Sequence, residues 1–246
     1  MKKQGEILVV GLGSGSEDSL TQEARQAIEE SDVIIGYKTY TALIANVTAG
    51  KKVISSGMRK EVDRCHQALD LAEAGCKVAL VSSGDPGIYG MAGIMLEVAQ
   101  KRNRHIPIRV VPGVTAASIA AAVLGAPLMH DFAVISLSDL LTPWEKIRLR
   151  LELCAQADLI ICLYNPRSHG RTQQLTKAWQ ILSKYKKPET PVGIVKNAGR
   201  SDQKADLTDL GSMLSVDTDM SSVIIIGNQS TYIADGKMIT PRGYVL

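Results

Sequence analysis

The sequence predicts an α/β protein made of two α/β domains, and three observations carry that expectation. Short β-branched runs alternate with helical patterns almost from end to end. Polar, glycine-rich stretches follow directly on several of those runs. A turn at Pro112-Gly113 separates a first series of alternations from a second. Such alternation is the mark of parallel strands joined by crossover helices.

In the first series, the runs 7–10, 33–35, 78–81 and 108–111 are apolar, β-branched and bounded by turn residues, as buried strands are. Leu20, Ala24, Ala27 and Ile28 recur at helical spacing, and Ser19 with Gln22 has the form of a capping box. Val62, Cys65, Leu69 and Ala72 make a second stripe, which Gly75 stops. The second series has strands at 133–136, 159–164, 192–195 and 222–227. Its helical stripes carry Ile147, Leu149 and Leu151, then Leu175, Trp179 and Leu182. Between the two series an alanine-rich helix, able to pack closely, follows Val114-Thr115. The expected domains are 1–113 and 114–246, mostly parallel in their sheets, with one larger sheet as the alternative.

Composition narrows the class. A hydrophobic share of 45% and a charged share of 22% describe a folded globular chain. The net charge of +3, without a long basic run, offers no tail for nucleic acid but allows a local site for a small anion. The opening lysines precede an apolar run broken by Glu6 and glycines, which reads as a first strand and loop and not as a secretory signal. The longest apolar stretch, Ala116 to Met129, contains Gly125 and Pro127 and is too short to span a bilayer, so no membrane partner is expected. Cys65, Cys76, Cys154 and Cys162 show neither a C-x-x-C pair nor zinc-ligand spacing. Reduced thiols in a cytoplasmic protein, and no metal, are the expectation.

Four loops draw attention because ligands of open parallel sheets bind beyond the carboxyl ends of strands. Gly11-Leu12-Gly13-Ser14-Gly15 is a cofactor loop or a plain tight turn; a Rossmann site would need an acid after the second strand, where the chain reads Gly36-Tyr37-Lys38. Ser82 to Gly90 is the densest candidate, with Gly84, Asp85, Pro86 and Gly87 in succession. Tyr164 to Arg171 sets two arginines, an asparagine and a histidine on one turn, suited to carboxylates or equally to a solvated helix start. Lys196 to Arg200 follows the next strand in the same way. Convergence of such loops is what favours one ligand site over four ordinary turns. His130 and Asp131 form a possible acid–base pair, against which stands the opposite facing of neighbours on a strand.

The stretches SSGDPGIYGMAG, VVPGVTAASIAAA and VIIGYKTY together resemble the tetrapyrrole methyltransferase family of cobalamin and sirohaem synthesis. The resemblance runs from EILVVG to Thr240–Tyr244. HDFAVISLSDLLTPW and LYNPRSHGR resemble its precorrin-3B C17-methyltransferase branch, cobalt-pathway counterparts included, with the C11-methyltransferases as runner-up. The resemblance implies a tetrapyrrole methylase fold with S-adenosylmethionine in a cleft between two α/β domains, and a homodimer. It implies cofactor contacts at Ser83, Gly84, Asp85 and Ile88, at Thr115 and Ala116, and at Tyr164, Asn165 and Ala198. A carboxylate-rich substrate calls for cations, and Lys38, Arg59, Lys60, Arg167 and Arg171 are the candidates. Ring contraction calls for an acid–base group, from among Asp131, Asp139, His169 and Lys38.

The chain departs from its relatives in places. Ser14 and Ser16 stand where many of them read proline and aspartate, Tyr37 stands near a position where some carry an acid, and no cysteine-rich extension suggests an iron–sulfur cluster. Two other readings compete: a nucleotide-binding regulatory module without chemistry, and a diphthamide-type methyltransferase acting on a protein.

Overall fold

Apolar runs become strands where the sequence places them, yet the two halves assemble those strands differently. The computed structural model describes residues 5–103, 105–168 and 170–245. It divides into two compact units, Met1–Ala116 and Ala117–Leu246.

The first unit contains β1 (Glu6–Gly11), α1 (Gln22–Glu29), β2 (Val33–Tyr37), α2 (Lys38–Leu43), β3 (Lys52–Ser56), α3 (Glu61–Glu73), β4 (Lys77–Ser82), α4 (Ala92–Lys101) and β5 (Ile108–Val111). Its five strands lie in the order β3-β2-β4-β1-β5, and every pairing is parallel. Alternate residues of one strand serve opposite layers. Val9, Ile35 and Leu80 pack with Cys65, Leu69 and Met95 of α3 and α4, while Leu8, Val10 and Ile34 pack with Ala24, Ala27 and Ile28 of α1. Both faces are buried, which is why these strands read as unbroken apolar runs.

Local details correct the sequence reading. The cap of α1 is Thr21, whose hydroxyl accepts from Ala24 N at 3.1 Å. Ser19 is two residues too early, and its hydroxyl lies 2.6 Å from Ser14 Oγ and 3.1 Å from Ser16 Oγ. In α3, Val62 is 50% exposed while Arg64 is buried. Arg64 donates to Ser56 Oγ and the Gly57 carbonyl at 2.8 and 3.0 Å, fixing the turn after β3. β3 itself escaped the sequence reading because, as an outer strand, it is half exposed and carries lysine and serine.

The second unit contains α5 (Ala116–Leu124), β6 (Gly125–Ala126), β7 (Phe132–Ser136), α6 (Trp144–Gln156), β8 (Ile160–Tyr164), α7 (Gln174–Leu182), β9 (Pro191–Lys196), β10 (Lys204–Asp209), β11 (Ser222–Ile226), β12 (Tyr232–Ala234) and β13 (Lys237–Ile239). The main sheet has the order β10-β9-β11-β8-β7, and β7 with β8 is its one parallel pairing among the described residues. The expectation of mostly parallel strands therefore holds for the first unit alone. Among the described residues no α-helix follows α7, and the short connection from β9 to β10 reverses the chain into the antiparallel edge strand. β12, β13 and β6 make a separate three-stranded sheet.

Ile147, Leu151, Leu175, Ala178 and Leu182 of α6 and α7 cover one face of the main sheet, against Ile135, Leu163, Ile194 and Ile224. Leu149, expected in that stripe, is 48% exposed. Leu124 of the alanine-rich α5 packs so closely on Gly193 that any side chain there would strike it. Lys186 is buried beside Asp158, its ammonium 3.2 Å from the carboxylate and 3.0 Å from the Gly227 carbonyl. Burial lowers its pKa, with Asp158 opposing. Burial likewise pushes the thiols of Cys65 and Cys162 up to about 12, so both are inert packing groups.

Candidate active site

Because every strand of the first unit is parallel, the loops after β1, β2, β3, β4 and β5 all emerge at one end of the sheet. Three of them meet backbone against backbone. Gly13 and Gly84 exchange hydrogen bonds, N–H to carbonyl, at 3.2 and 2.7 Å. A Cβ on Gly11 would lie 2.6 Å from Gly113 N and 2.7 Å from the Gly84 carbonyl, so only glycine lets these backbones meet. Asp85 completes the tie: Oδ1 accepts from Gly87 N at 2.8 Å and Oδ2 from Gly113 N at 3.1 Å. Its carboxylate thus holds the loop after β4 to the loop after β5.

Around this knot lie the first unit's candidate cofactor residues. Ser83 and Gly84 follow β4, and an ideal Cβ on Gly84 would stand 3.8 Å from Ala116 N and 3.9 Å from Thr115 Cα. Ile88 is 41% exposed and Tyr89, with φ 55°, is 59% exposed. Among the candidate clamps, Lys38 opens α2 and is exposed. Arg59 and Lys60 follow β3, two strands away from β4, about 10 Å at the usual strand spacing. Lys60 pairs with Asp63 at 2.9 Å, both well exposed.

In the second unit β7, β8 and β9 point the same way, since β8 and β9 are each antiparallel to β11. Their carboxyl ends carry Asp139, the loop from Tyr164 to Arg171, and Asn197-Ala198. The Tyr164 hydroxyl accepts from Ala117 N at 2.6 Å, satisfying a backbone donor in the first turn of α5. Asn165, at φ 53°, donates its side-chain amide to Ser136 Oγ at 3.0 Å. Asp139 accepts from the Gln174 amide at 2.9 Å. Lys196 meets Asp219 and Asp217 at 2.7 and 3.2 Å, and these bonds raise its pKa. Ala198 is buried.

Three candidates fare differently from the rest. Asp131 precedes β7 and stands at the opposite end of this sheet from Asp139, about 16 Å away along the strand. It is 85% exposed there, 3.9 Å from His130 Nδ1. Its place before the strand in the chain already sets it at the amino end, away from the loops that follow β7, β8 and β9. Arg171, expected to face a substrate, is buried at 7% exposure and donates Nη1 to the Asn165 carbonyl at 2.9 Å. His169 lies outside the described residues. Gln174 was missed altogether, and its only signal in sequence is its place at the start of a helix beyond the arginine loop.

The arrangement defines a class before it defines a family: an α/β protein with glycine loops gathered at strand ends, no acid after the second strand, and a strand order, β3-β2-β4-β1-β5, that differs from the Rossmann order. A family model for tetrapyrrole (corrin/porphyrin) methylases matches residues 6–213. The chain is 51% identical over 240 residues to a probable cobalt-factor III C(17)-methyltransferase of Salmonella typhimurium, spanning 98% of this chain and 100% of that one. It is 39% identical to a precorrin-3B C(17)-methyltransferase of a Sinorhizobium species, over 98% of this chain and 97% of that one. The crystal structure of the methyltransferase CobJ matches with a TM-score of 0.90 at 36% identity, over 96% of this chain and 100% of that one. This chain belongs to the tetrapyrrole methylase family. Family, enzyme class and S-adenosylmethionine as methyl donor agree with what the sequence motifs implied.

Proposed function

We propose that this protein methylates cobalt-factor III or precorrin-3B at C17, with contraction of the ring, in cobalamin synthesis. The observation that carries the reading is likeness along nearly the whole chain to C17-methyltransferases of both the cobalt-factor and the precorrin-3B kind, at 51% and 39% identity. The C11 alternative has weaker support, since a cobalt precorrin-4 methyltransferase structure is 22% identical and speaks for the fold alone.

The residues present suit S-adenosylmethionine. At the first unit's glycine knot Gly84 carries no side chain, and the Thr115 and Ala116 backbone lies beside it at ordinary contact distance. When bound, the donor supplies an electrophilic methyl group on a sulfonium. Ser83, Gly84, Asp85, Ile88, Thr115 and Ala116 are the proposed contacts in the first unit, with Tyr164, Asn165 and Ala198 in the second. Asp85 acts by holding Gly87 and Gly113, and so shapes the backbone the donor meets. Methyl transfer needs the carbon held about 3–3.5 Å from the methyl in line, so positioning supplies much of the rate. Lys38, Arg59, Lys60 and Arg167 are the proposed carboxylate clamps. Asp139, oriented by Gln174, is the proposed acid–base group for contraction, with Lys38 as a donor to developing negative charge at oxygen.

A homodimer in the cytoplasm completes the proposal. Family resemblance supports the dimer, and four free cysteines suit a reducing compartment. Among the described residues no helix is long and apolar enough to cross a membrane.

The test is incubation of purified protein with S-adenosylmethionine and either cobalt-factor III or precorrin-3B. The expected products are S-adenosylhomocysteine and a singly methylated, contracted tetrapyrrole, with a changed visible spectrum. Turnover only with the next, already contracted intermediate would transfer the protein to the C11 group and end the C17 reading.

A further inference from the structure

Asn165 sits in a backbone state that its surroundings must enforce. Its φ of 53° lies in the left-handed region, and the next residue is Pro166. A residue before proline is pushed toward extended backbone, so this conformation is uphill for two separate reasons. Strain of this kind persists only where neighbouring groups over-determine it.

Two groups do so. Ser136 Oγ accepts from the Asn165 side chain at 3.0 Å. The Arg171 guanidinium donates to the Asn165 carbonyl at 2.9 Å. That carbonyl belongs to the bond with Pro166, whose nitrogen carries no hydrogen, so the oxygen is the peptide's sole hydrogen-bonding atom. Ser168 and Arg171 also exchange backbone hydrogen bonds at 3.1 Å in each direction, closing the loop and fixing the root of the arginine. At 7% exposure Arg171 makes no ion pair among the described residues. Taking a guanidinium out of water onto one neutral carbonyl is costly, and such a residue is not a spare surface cation.

We propose that Arg171 is a positioning residue. It holds Asn165 in its left-handed conformation, and thereby sets the Tyr164–Asn165 segment to receive the methyl donor, without itself touching the tetrapyrrole's carboxylates. The proposal rests on the reading above that Tyr164 and Asn165 contact S-adenosylmethionine.

The experiment titrates S-adenosylhomocysteine into wild type, Arg171→Met, Arg171→Lys, Asn165→Gly and the double variant Asn165→Gly/Arg171→Met by calorimetry, with initial rates at varied tetrapyrrole and thermal unfolding alongside. Arg171→Met should weaken nucleotide binding about tenfold or more, while the KM for tetrapyrrole moves by less than about twofold. Guanidinium ion at millimolar concentration should restore part of the loss, and Arg171→Lys should fall between. The double variant should bind more tightly than Arg171→Met alone, because glycine takes a positive φ without strain. That suppression is an effect a simple loss of stability would not produce. Should Arg171→Met fail to fold, the same comparison is read between Arg171→Lys and Asn165→Gly/Arg171→Lys. Wild-type nucleotide affinity in Arg171→Met, with a raised tetrapyrrole KM, would overturn the proposal and make Arg171 a clamp. Unchanged nucleotide affinity in both Asn165→Ala and Tyr164→Ala would instead overturn the donor-contact reading beneath it.

Discussion

The two units bring loops to strand ends by different means. In the first, five parallel strands force every following loop to one end, and the loops meet there backbone to backbone, Gly13 with Gly84 and Gly11 against Gly113, with one carboxylate, Asp85, bonded to two amide N–H groups. In the second, the sheet is mostly antiparallel, and side chains hold the corresponding end together. Asn165 reaches Ser136, Gln174 reaches Asp139, Arg171 reaches a carbonyl and Lys196 reaches two carboxylates. A backbone knot tolerates almost no added atom and has little freedom. A side-chain network tolerates substitution better and can adjust to a ligand, at the cost of depending on charges.

The sharpest way to break that contrast is to add one methyl group to the knot. Gly113→Ala would place a Cβ 2.7 Å from Gly11 C and 2.8 Å from Gly11 Cα, backbone that has no rotamer to yield. It should cost about 3 kcal/mol in urea unfolding and abolish nucleotide binding. Near-normal stability would show that the loops of the first unit are not locked as described.

A second variant probes the charge dependence of the other unit. Asp158→Asn leaves the Lys186 ammonium, 2% exposed, with neutral acceptors only and no compensating negative charge. Removing a partner of a buried charge costs about 3–5 kcal/mol; Asp158 is 32% exposed, and that screening reduces the expected loss to about 2 kcal/mol. Asparagine also accepts the φ of 53° found at Asp158, so the backbone is not the cause of any loss.

The third expectation is smaller. Tyr164→Phe removes the acceptor of Ala117 N and should cost about 1 kcal/mol, since the orphaned donor is at a helix start. Its test is the unfolding midpoint at constant slope. A loss above that of Asp158→Asn would mean the hydroxyl organises much more of the unit than one helical turn.

The least effect concerns pH. Burial lowers the folded pKa of Lys186 from the usual 10.5. Between that lowered value and 10.5 the unfolded chain holds a proton that the folded chain has released, so this lysine makes stability rise with pH across the window. Below the window both states are protonated and the burial cost stays constant. Lys186→Met should therefore remove a rising component from the alkaline stability profile, read as the difference between the two proteins' urea midpoints.

Much of this was legible in the chain. Buried strands such as Ile7–Val10 and Val78–Val81 show themselves because both faces of the parallel sheet need apolar side chains, and the Ser83–Ile88 loop shows itself by glycine and proline density. The half-exposed strands Lys52–Ser56 and Lys204–Asp209 did not, because an outer strand needs no apolar run. Sequence by itself determined the family, the alternating elements and the loops in which polar chemistry gathers, since these rest on local patterns and short motifs. Only the tertiary structure decided which strands run antiparallel, so which loops share an end of the second sheet, and which charges are buried. It buried Arg171 with its guanidinium on the Asn165 carbonyl and joined Asp85 to Gly113. Strand direction and burial come from contacts between segments far apart in the chain, and those contacts leave no mark on the neighbouring residues.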